Sequence, residues 1–105
     1  MPTVLKTFEE FKAALKENEK LVIDFYADWC GPCKVIAPQY EALSKDFPSV
    51  KFFKVNVDQN ADASEEAGIE AMPTFQFYHK GTKTSEIKGA NVNSLKKNLE
   101  NLQTM

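Results

Sequence analysis

An apolar run of strand length, "LVIDFYA" from Leu21 to Ala27, places the strongest constraint on how this chain can fold. The run does not alternate between apolar and polar positions, and Asp24 is its one charged residue. Such a run is typical of a strand that is covered on both faces. We therefore expect the central strand of a sheet here, with Asp24 buried. The alternative is that Asp24 faces solvent at a sheet edge.

Helical patterns lie on both sides of this strand. The Thr-x-x-Glu sequence from Thr7 to Glu10 forms a capping box, whose side chains satisfy free amides at a helix start. Downstream of the strand, apolar residues recur at steps of four, three and four, and they give a second helix one buried stripe, formed by Ile36, Tyr40, Leu43 and Phe47.

The second half of the chain continues the alternation. "VKFFKVNV", 50–57, is β-branched and aromatic enough for another buried strand, and "NADASEEAG" predicts a short helix that ends at Gly68. "TFQFYH" and "KTSEIK" flank a turn with Gly81, which predicts a β-hairpin. Asn91 can cap a last amphipathic helix.

These elements predict an α/β fold in the order βαβαβαββα. Helical crossovers require parallel strands and the hairpin adds antiparallel ones, so we expect a mixed sheet of about five strands with about four helices on both faces. The 105 residues, 43% of them hydrophobic, suffice for one core. No linker, repeat or low-complexity segment interrupts them, so we expect a single domain over residues 1–105.

The charge balance argues against some partners. With 13 basic and 15 acidic residues, the net charge is −2, and no concentrated positive field favours a nucleic acid or a membrane surface. No apolar run approaches the length of a membrane span, and "MPTVLKTFEE" has no signal-peptide pattern. We therefore expect a cytoplasmic protein.

The two cysteines of the chain, Cys30 and Cys33, stand where the second helix is expected to begin. Free backbone amides and the positive end of the helix dipole favour a thiolate there, so Cys30 is the expected nucleophile. Cys33, one turn further on and less exposed, can resolve a mixed disulfide formed at Cys30. Pro32 suits a first helical turn, and Gly31 leaves space beside the attacking sulfur.

Two other uses of the cysteine pair are disfavoured. A structural disulfide rarely persists in a reducing cytosol, and a bridge across so short a loop contributes only about 2 kcal/mol. A structural zinc site needs four ligands, and beyond the cysteines the chain offers only His79 and carboxylates. His79 is expected to be an ordinary polar residue at the end of a hairpin strand. We therefore favour redox chemistry.

"WCGPCK" from Trp29 to Lys34, together with "MPTF" from Met72 to Phe75, resembles the thioredoxin family, and the order of elements covers nearly the whole chain. The resemblance implies a dithiol that reduces disulfides of client proteins and is re-reduced by thioredoxin reductase. Clients of the peroxiredoxin, ribonucleotide reductase or sulfoxide reductase types are implied. NADPH and FAD then belong to the reductase, with no cofactor bound in this chain, which we expect to be a monomer.

The resemblance also implies roles for three residues near the cysteines. Asp24 corresponds to a buried aspartate that serves Cys33 as base and acid, and burial alone should raise its pKa. Lys54 corresponds to a lysine that pairs with this aspartate in some members, although a strand lysine can simply extend to water. Trp29 is implied to shield the site and contact partners, the alternative being a core aromatic.

A further set of residues is implied to form a flat, mostly apolar docking surface. Family members have a cis proline at the position of Pro73, whereas the sequence alone favours a trans bond. Met72 would then offer its backbone to an extended substrate strand. The other docking residues implied are Gly31, Pro32, Ala71, Gly89 and Ala90. Gly89 and Ala90 are equally compatible with a tight turn between a strand and a helix.

Two rival functions remain open. A disulfide oxidase or isomerase on the same fold usually has a histidine between the cysteines and an export signal, whereas this chain has Gly31 and Pro32. An interaction module with an incidental C-x-x-C pair would act without either thiol. Because the chain has no further cysteine, dimerisation or regulation through extra thiols is excluded.

Overall fold

The computed structural model describes all of residues 1–105 and contains five strands and four helices in the predicted order. The strands are β1 (Thr3–Val4), β2 (Lys20–Tyr26), β3 (Lys51–Asn56), β4 (Thr74–His79) and β5 (Thr82–Lys88). The helices are α1 (Phe8–Glu17), α2 (Gly31–Asp46), α3 (Ala61–Ala67) and α4 (Val92–Gln103). The predicted order βαβαβαββα is confirmed. None of the helices is both long enough and apolar enough to cross a bilayer.

The strands form one mixed sheet in the order β1-β3-β2-β4-β5. β3 is parallel to β1 and β2, whereas β4 is antiparallel to β2 and β5. The apolar run is the central strand, as predicted. Asp24 therefore lies between Lys54 on β3 and Phe75 on β4.

Side chains alternate between the two faces of the sheet and build a core on each. Val22 of β2 packs on the face covered by α2 and α4, in a cluster that includes Tyr40. Leu21 and Ile23 pack on the opposite face with residues of α1 and α3. Asp24 has the same parity as Val22, so its side chain is on the face covered by α2.

The helix starts are capped by side chains that accept a hydrogen bond from a backbone amide three residues on: Thr7, Cys30, Asn60 and Asn91. The predicted capping box differs in one detail, since Glu10 accepts from the amide of Lys6 rather than of Thr7. Gly68 ends α3 with a φ of +72°, as its position predicted. The cap at Cys30 places this residue at the first turn of α2.

Candidate active site

Cys30 and Cys33 form a disulfide at the start of α2, with their Cα atoms 5.3 Å apart. Cys30 is the N-cap residue, and its Sγ accepts a hydrogen bond from the backbone N–H of Cys33 at 3.2 Å. When the disulfide is reduced, this amide and the positive end of the helix dipole stabilise a thiolate on Cys30. The geometry therefore distinguishes the two sulfurs chemically.

The exposure of the two cysteines does not distinguish them. Cys30 is 5% exposed and Cys33 is 4% exposed, so Cys33 is less exposed, as expected, but only by a very small margin in the disulfide form. The reason is that both pack in one small cluster with Ala27, against which Tyr26 and Met72 lie. Any chemical difference between the two sulfurs must then come from their places in the helix.

Asp24 is 1% exposed, which rules out the alternative of a solvent-facing carboxylate. Neither of its carboxylate oxygens has a hydrogen-bond partner. Burial raises the pKa of Asp24 to about 7, and the positive charge of Lys54 partly opposes this effect. A carboxyl with this pKa can both accept and return a proton near neutral pH.

Lys54 does not make the ion pair with Asp24 that the resemblance implies. The two residues are neighbours across β2 and β3, yet their charged groups do not come within ion-pair distance. Instead the Nζ atom of Lys54 lies over the ring of Tyr26, 4.5 Å from its centroid. The contact with an aromatic face takes the place of the expected ion pair.

Trp29 is 68% exposed, so the alternative of a core aromatic is wrong. Its indole Nε1 donates a hydrogen bond to Oδ2 of Asp58 at 3.0 Å. Sequence reasoning did not find Asp58, because nothing in its local pattern marks it as the partner of a residue on another segment.

The turn that carries Asp58 is organised by Asn56, the last residue of β3, which is 2% exposed. Its Oδ1 accepts hydrogen bonds from the amides of Asp58 and Gln59, at 3.0 and 3.2 Å. Its Nδ2 donates to Oδ1 of Asp28 at 3.2 Å, next to Trp29. Asparagine after a strand is a turn signal, but it gives no hint of this link between the two loops.

The segment before β4 lies beside the cysteines. Met72 packs against the cluster that contains Cys30 and Cys33, and the Met72–Pro73 bond is cis, as the resemblance implies. The backbone N–H of Gly89 donates to the carbonyl oxygen of Pro73 at 2.8 Å. The loop after β5 is thereby attached to the loop before β4.

The residues proposed for docking are mostly at the surface. Gly31, Pro32, Ala71 and Ala90 are exposed, and Met72 and Gly89 are partly buried. Gly89 has a φ of +104° in the connection between β5 and α4, so its role in a turn is compatible with a role in docking. Pro73 itself is buried.

No group of three or more His, Cys, Asp or Glu side chains is arranged to hold a metal ion. His79 lies at the end of β4, and its Nε2 is 3.6 Å from Oε2 of Glu19. No third or fourth metal ligand therefore lies beside the two cysteines.

Comparison with known proteins gives consistent matches. The family model described as thioredoxin matches residues 2–101. A thioredoxin of Geodia cydonium is 46% identical over 103 residues, which cover 95% of this chain and 97% of that protein. The crystal structure of mitochondrial thioredoxin 3 from Saccharomyces cerevisiae, in its oxidized form, superposes with a TM-score of 0.93 at 42% identity, covering 96% of this chain and 95% of the other.

A second solved structure is similar to this chain to the same degree. It comes from work on the thiol resolving mechanism in yeast mitochondrial 1-Cys peroxiredoxin via glutathione and thioredoxin systems. Its chain has a TM-score of 0.93 and 42% identity, with coverage of 96% of this chain and 95% of that one.

Proposed function

This chain belongs to the thioredoxin family and is a protein-disulfide reductase, and on that premise we propose how its residues divide the reaction. Cys30 is the nucleophile, Cys33 resolves the intermediate, and Asp24 exchanges the proton of Cys33. The observation that carries this assignment is the position of the cysteine pair across the first turn of α2, with the Sγ atom of Cys30 accepting the Cys33 amide.

In the first step the Cys30 thiolate attacks one sulfur of a client disulfide. A bond forms between the Cys30 sulfur and that client sulfur, and the other client sulfur leaves as a thiolate that takes up a proton. The helix start lowers the cost of the Cys30 thiolate, because its amides and dipole act on the charged form.

In the second step the Cys33 thiol gives its proton to the Asp24 carboxylate and attacks the Cys30 sulfur. The Cys30–Cys33 disulfide forms, and the second client sulfur leaves as a thiolate. Two electrons pass from the dithiol to the client. Asp24 suits the proton transfer because burial raises its pKa to about 7, close to the pH at which it must act.

The client docks on the surface around the disulfide. Trp29 supports this proposal because it is 68% exposed beside Cys30, and Met72 because it packs on the cysteine cluster and is only partly buried. We assign to the same surface the other residues that the resemblance implies, together with Pro73, which is itself buried: Gly31, Pro32, Ala71, Gly89 and Ala90. An extended client strand could then pair with the backbone of Met72.

The electron source belongs to the proposal as well. Thioredoxin reductase would reduce the disulfide again, with NADPH and FAD bound to that enzyme and no cofactor on this chain. A peroxiredoxin is one candidate client, because a solved structure with 42% identity comes from work on a peroxiredoxin. We propose that the chain acts as a monomeric electron carrier in the cytoplasm, where a reducing pool keeps thiols available.

A coupled assay tests this function. The protein is mixed with thioredoxin reductase, NADPH and a disulfide-bonded protein substrate, and NADPH oxidation is followed by absorbance. We expect turnover that requires all components and is lost in Cys30→Ser. If a variant that lacks both thiols still changes the behaviour of its partner proteins, the result would instead support an interaction module. Efficient oxidation of client dithiols with no reductase-dependent reduction would support an oxidase.

A further inference from the structure

Asp24 and Lys54 present an unusual arrangement, because a buried carboxyl and a nearby cation do not pair. Asp24 is 1% exposed and neither oxygen has a hydrogen-bond partner. Lys54 is its direct neighbour on β3. A buried carboxylate without a partner is energetically costly, so an ion pair between Asp24 and Lys54 would be favourable. Because this ion pair does not form, another contact must hold the Lys54 ammonium group.

That other contact is the aromatic ring of Tyr26. The Nζ atom of Lys54 lies 4.5 Å from the ring centroid, within the range of a cation–π interaction, and Lys54 forms neither an ion pair nor a side-chain hydrogen bond. Tyr26 follows Asp24 by two positions on β2, so both side chains are on the same face of the sheet. The ring and the carboxyl therefore compete for one ammonium group.

We propose that Tyr26 is a positioning residue that holds the Lys54 ammonium away from Asp24 and so leaves the Asp24 carboxyl unpaired for proton exchange with Cys33. The inference rests on the proposed function in one respect, the use of Asp24 by Cys33. The competition between Tyr26 and Asp24 for Lys54 is independent of it.

The other groups around Asp24 do not replace Lys54. From α2, the hydroxyl of Tyr40 donates to the carbonyl oxygens of Val22 and Phe53, and burial raises the pKa of Tyr40, so its phenol stays neutral. Cys33 is in the disulfide, and the β4 neighbour Phe75 has no ionisable group.

Charged groups also line a cavity next to Lys54. A cavity of about 400 Å³ opens between α2 and β3, and Lys34, Glu41 and Lys54 are its charged lining residues. Burial also raises the pKa of Tyr26, to which Asp28 and Asp24 add, so the ring over Lys54 is uncharged at neutral pH. Lys54 is thus the cation that acts on the Asp24 carboxyl.

The proposal predicts that removal of the Tyr26 ring lowers the proton affinity of the Asp24 carboxyl. If the ring is removed, the ammonium can approach the carboxyl, and an opposite charge at ion-pair distance favours the ionised form. Asp24 would then be ionised over more of the neutral range and would accept a proton from Cys33 less readily. With the ring present, Asp24 keeps a proton affinity matched to its task.

The experiment is a titration of the Asp24 carboxyl carbon by NMR, in the oxidised protein with labelled aspartate. The parent should titrate at about 7. Tyr26→Leu should lower the apparent pKa of Asp24 by about one pH unit or more. Tyr26→Phe is the matched control, because it keeps the ring face and loses only the hydroxyl, and it should titrate like the parent.

The Lys54→Met variant shows whether a lower pKa of Asp24 is caused by approach of the Lys54 ammonium or by entry of water. In this background Tyr26→Leu should no longer lower the pKa of Asp24, because no ammonium remains to approach. If the lowering persists without Lys54, hydration through the space left by the ring explains it and the proposal is wrong. An unchanged pKa in Tyr26→Leu alone would also overturn it.

Single-turnover kinetics distinguish failure of the Tyr26 proposal from failure of the proposed role of Asp24 in proton transfer. If Tyr26→Leu lowers the pKa of Asp24 as expected while the rate of mixed-disulfide resolution keeps the pH profile of the parent, the Tyr26 contact stands and the role of Asp24 in proton transfer fails. If the rate profile moves with the pKa, both are supported.

Discussion

The indole Nε1 of Trp29 donates a hydrogen bond to Oδ2 of Asp58, 29 residues later in the chain, at 3.0 Å. The ring is 68% exposed, so packing alone does not fix it. The hydrogen bond joins the loop before α2 to the turn after β3, whose amides bind to the side chain of Asn56. An exposed aromatic next to Cys30 is thereby held in one orientation.

Asp58→Ala should therefore weaken client reduction without unfolding the protein. Loss of one exposed hydrogen bond costs about 0.5–1.5 kcal/mol, and a loss of this size in the binding of the client corresponds to a roughly twofold to thirteenfold fall in kcat/KM. Asp58→Asn is the matched control, since its amide oxygen can still accept, and it should retain most activity. The measurement is steady-state client reduction, with Trp29 fluorescence as a report on the ring. Equal losses in both variants would mean that the charge, not the hydrogen bond, matters.

Gly89→Ala should destabilise the fold. Gly89 has a φ of +104°, a conformation that costs a residue with a Cβ about 1–2 kcal/mol, although no heavy atom lies within 4 Å of an added Cβ. Its N–H also binds the carbonyl oxygen of Pro73. Gly31→Ala is the control, because Gly31 has neither a positive φ nor a close neighbour. Denaturant unfolding of both variants should show a loss for Gly89→Ala alone; equal midpoints would contradict the argument from φ.

Asp24→Asn should stabilise the oxidised protein in a pH-dependent way. Burial raises the pKa of Asp24 from 3.8 to about 7. When the pH is well below the pKa of the unfolded chain, both states of the parent are protonated, so the carboxyl has no pH-dependent cost. As the pH rises, the unfolded chain ionises first and the parent loses stability until the pH passes the folded pKa. At about 1.4 kcal/mol per pH unit, the full loss is about 4 kcal/mol.

The test is the free energy of unfolding of parent and Asp24→Asn from about pH 4 to about pH 9. The advantage of the variant should grow up to about pH 7 and then level off. The same variant should slow resolution of the mixed disulfide near neutral pH, because Cys33 loses its proton acceptor. An advantage that does not vary with pH would show that Asp24 titrates alike in the folded and unfolded states.

The fold could be predicted because each element has a local cue. The apolar run, which does not alternate with polar residues, identified β2 as the central strand, and Thr7 and Asn91 marked helix starts through short side chains that accept amide hydrogen bonds. The cysteine pair was predictable for the same reason, since both thiols and their helix start lie within one short stretch of sequence.

The contacts around the pair could not be predicted, because they depend on how separate elements align. Lys54 was noted as out of place in a strand, but its position over Tyr26 follows from the register of β2 and β3. Asp58 reaches Trp29 only through the turn after β3. The near-equal burial of Cys30 and Cys33 depends on packing in three dimensions, which helical spacing does not report.

The division of roles between Cys30 and Cys33 is tested most directly by trapping the mixed disulfide. Cys33→Ser and Cys30→Ser, both reduced, are incubated with a disulfide-bonded client, quenched with acid, and analysed on a non-reducing gel. The account predicts a long-lived covalent complex for Cys33→Ser alone, because Cys30 still attacks and no second thiol releases the client. Equal trapping by Cys30→Ser, or a complex formed only by that variant, would contradict it.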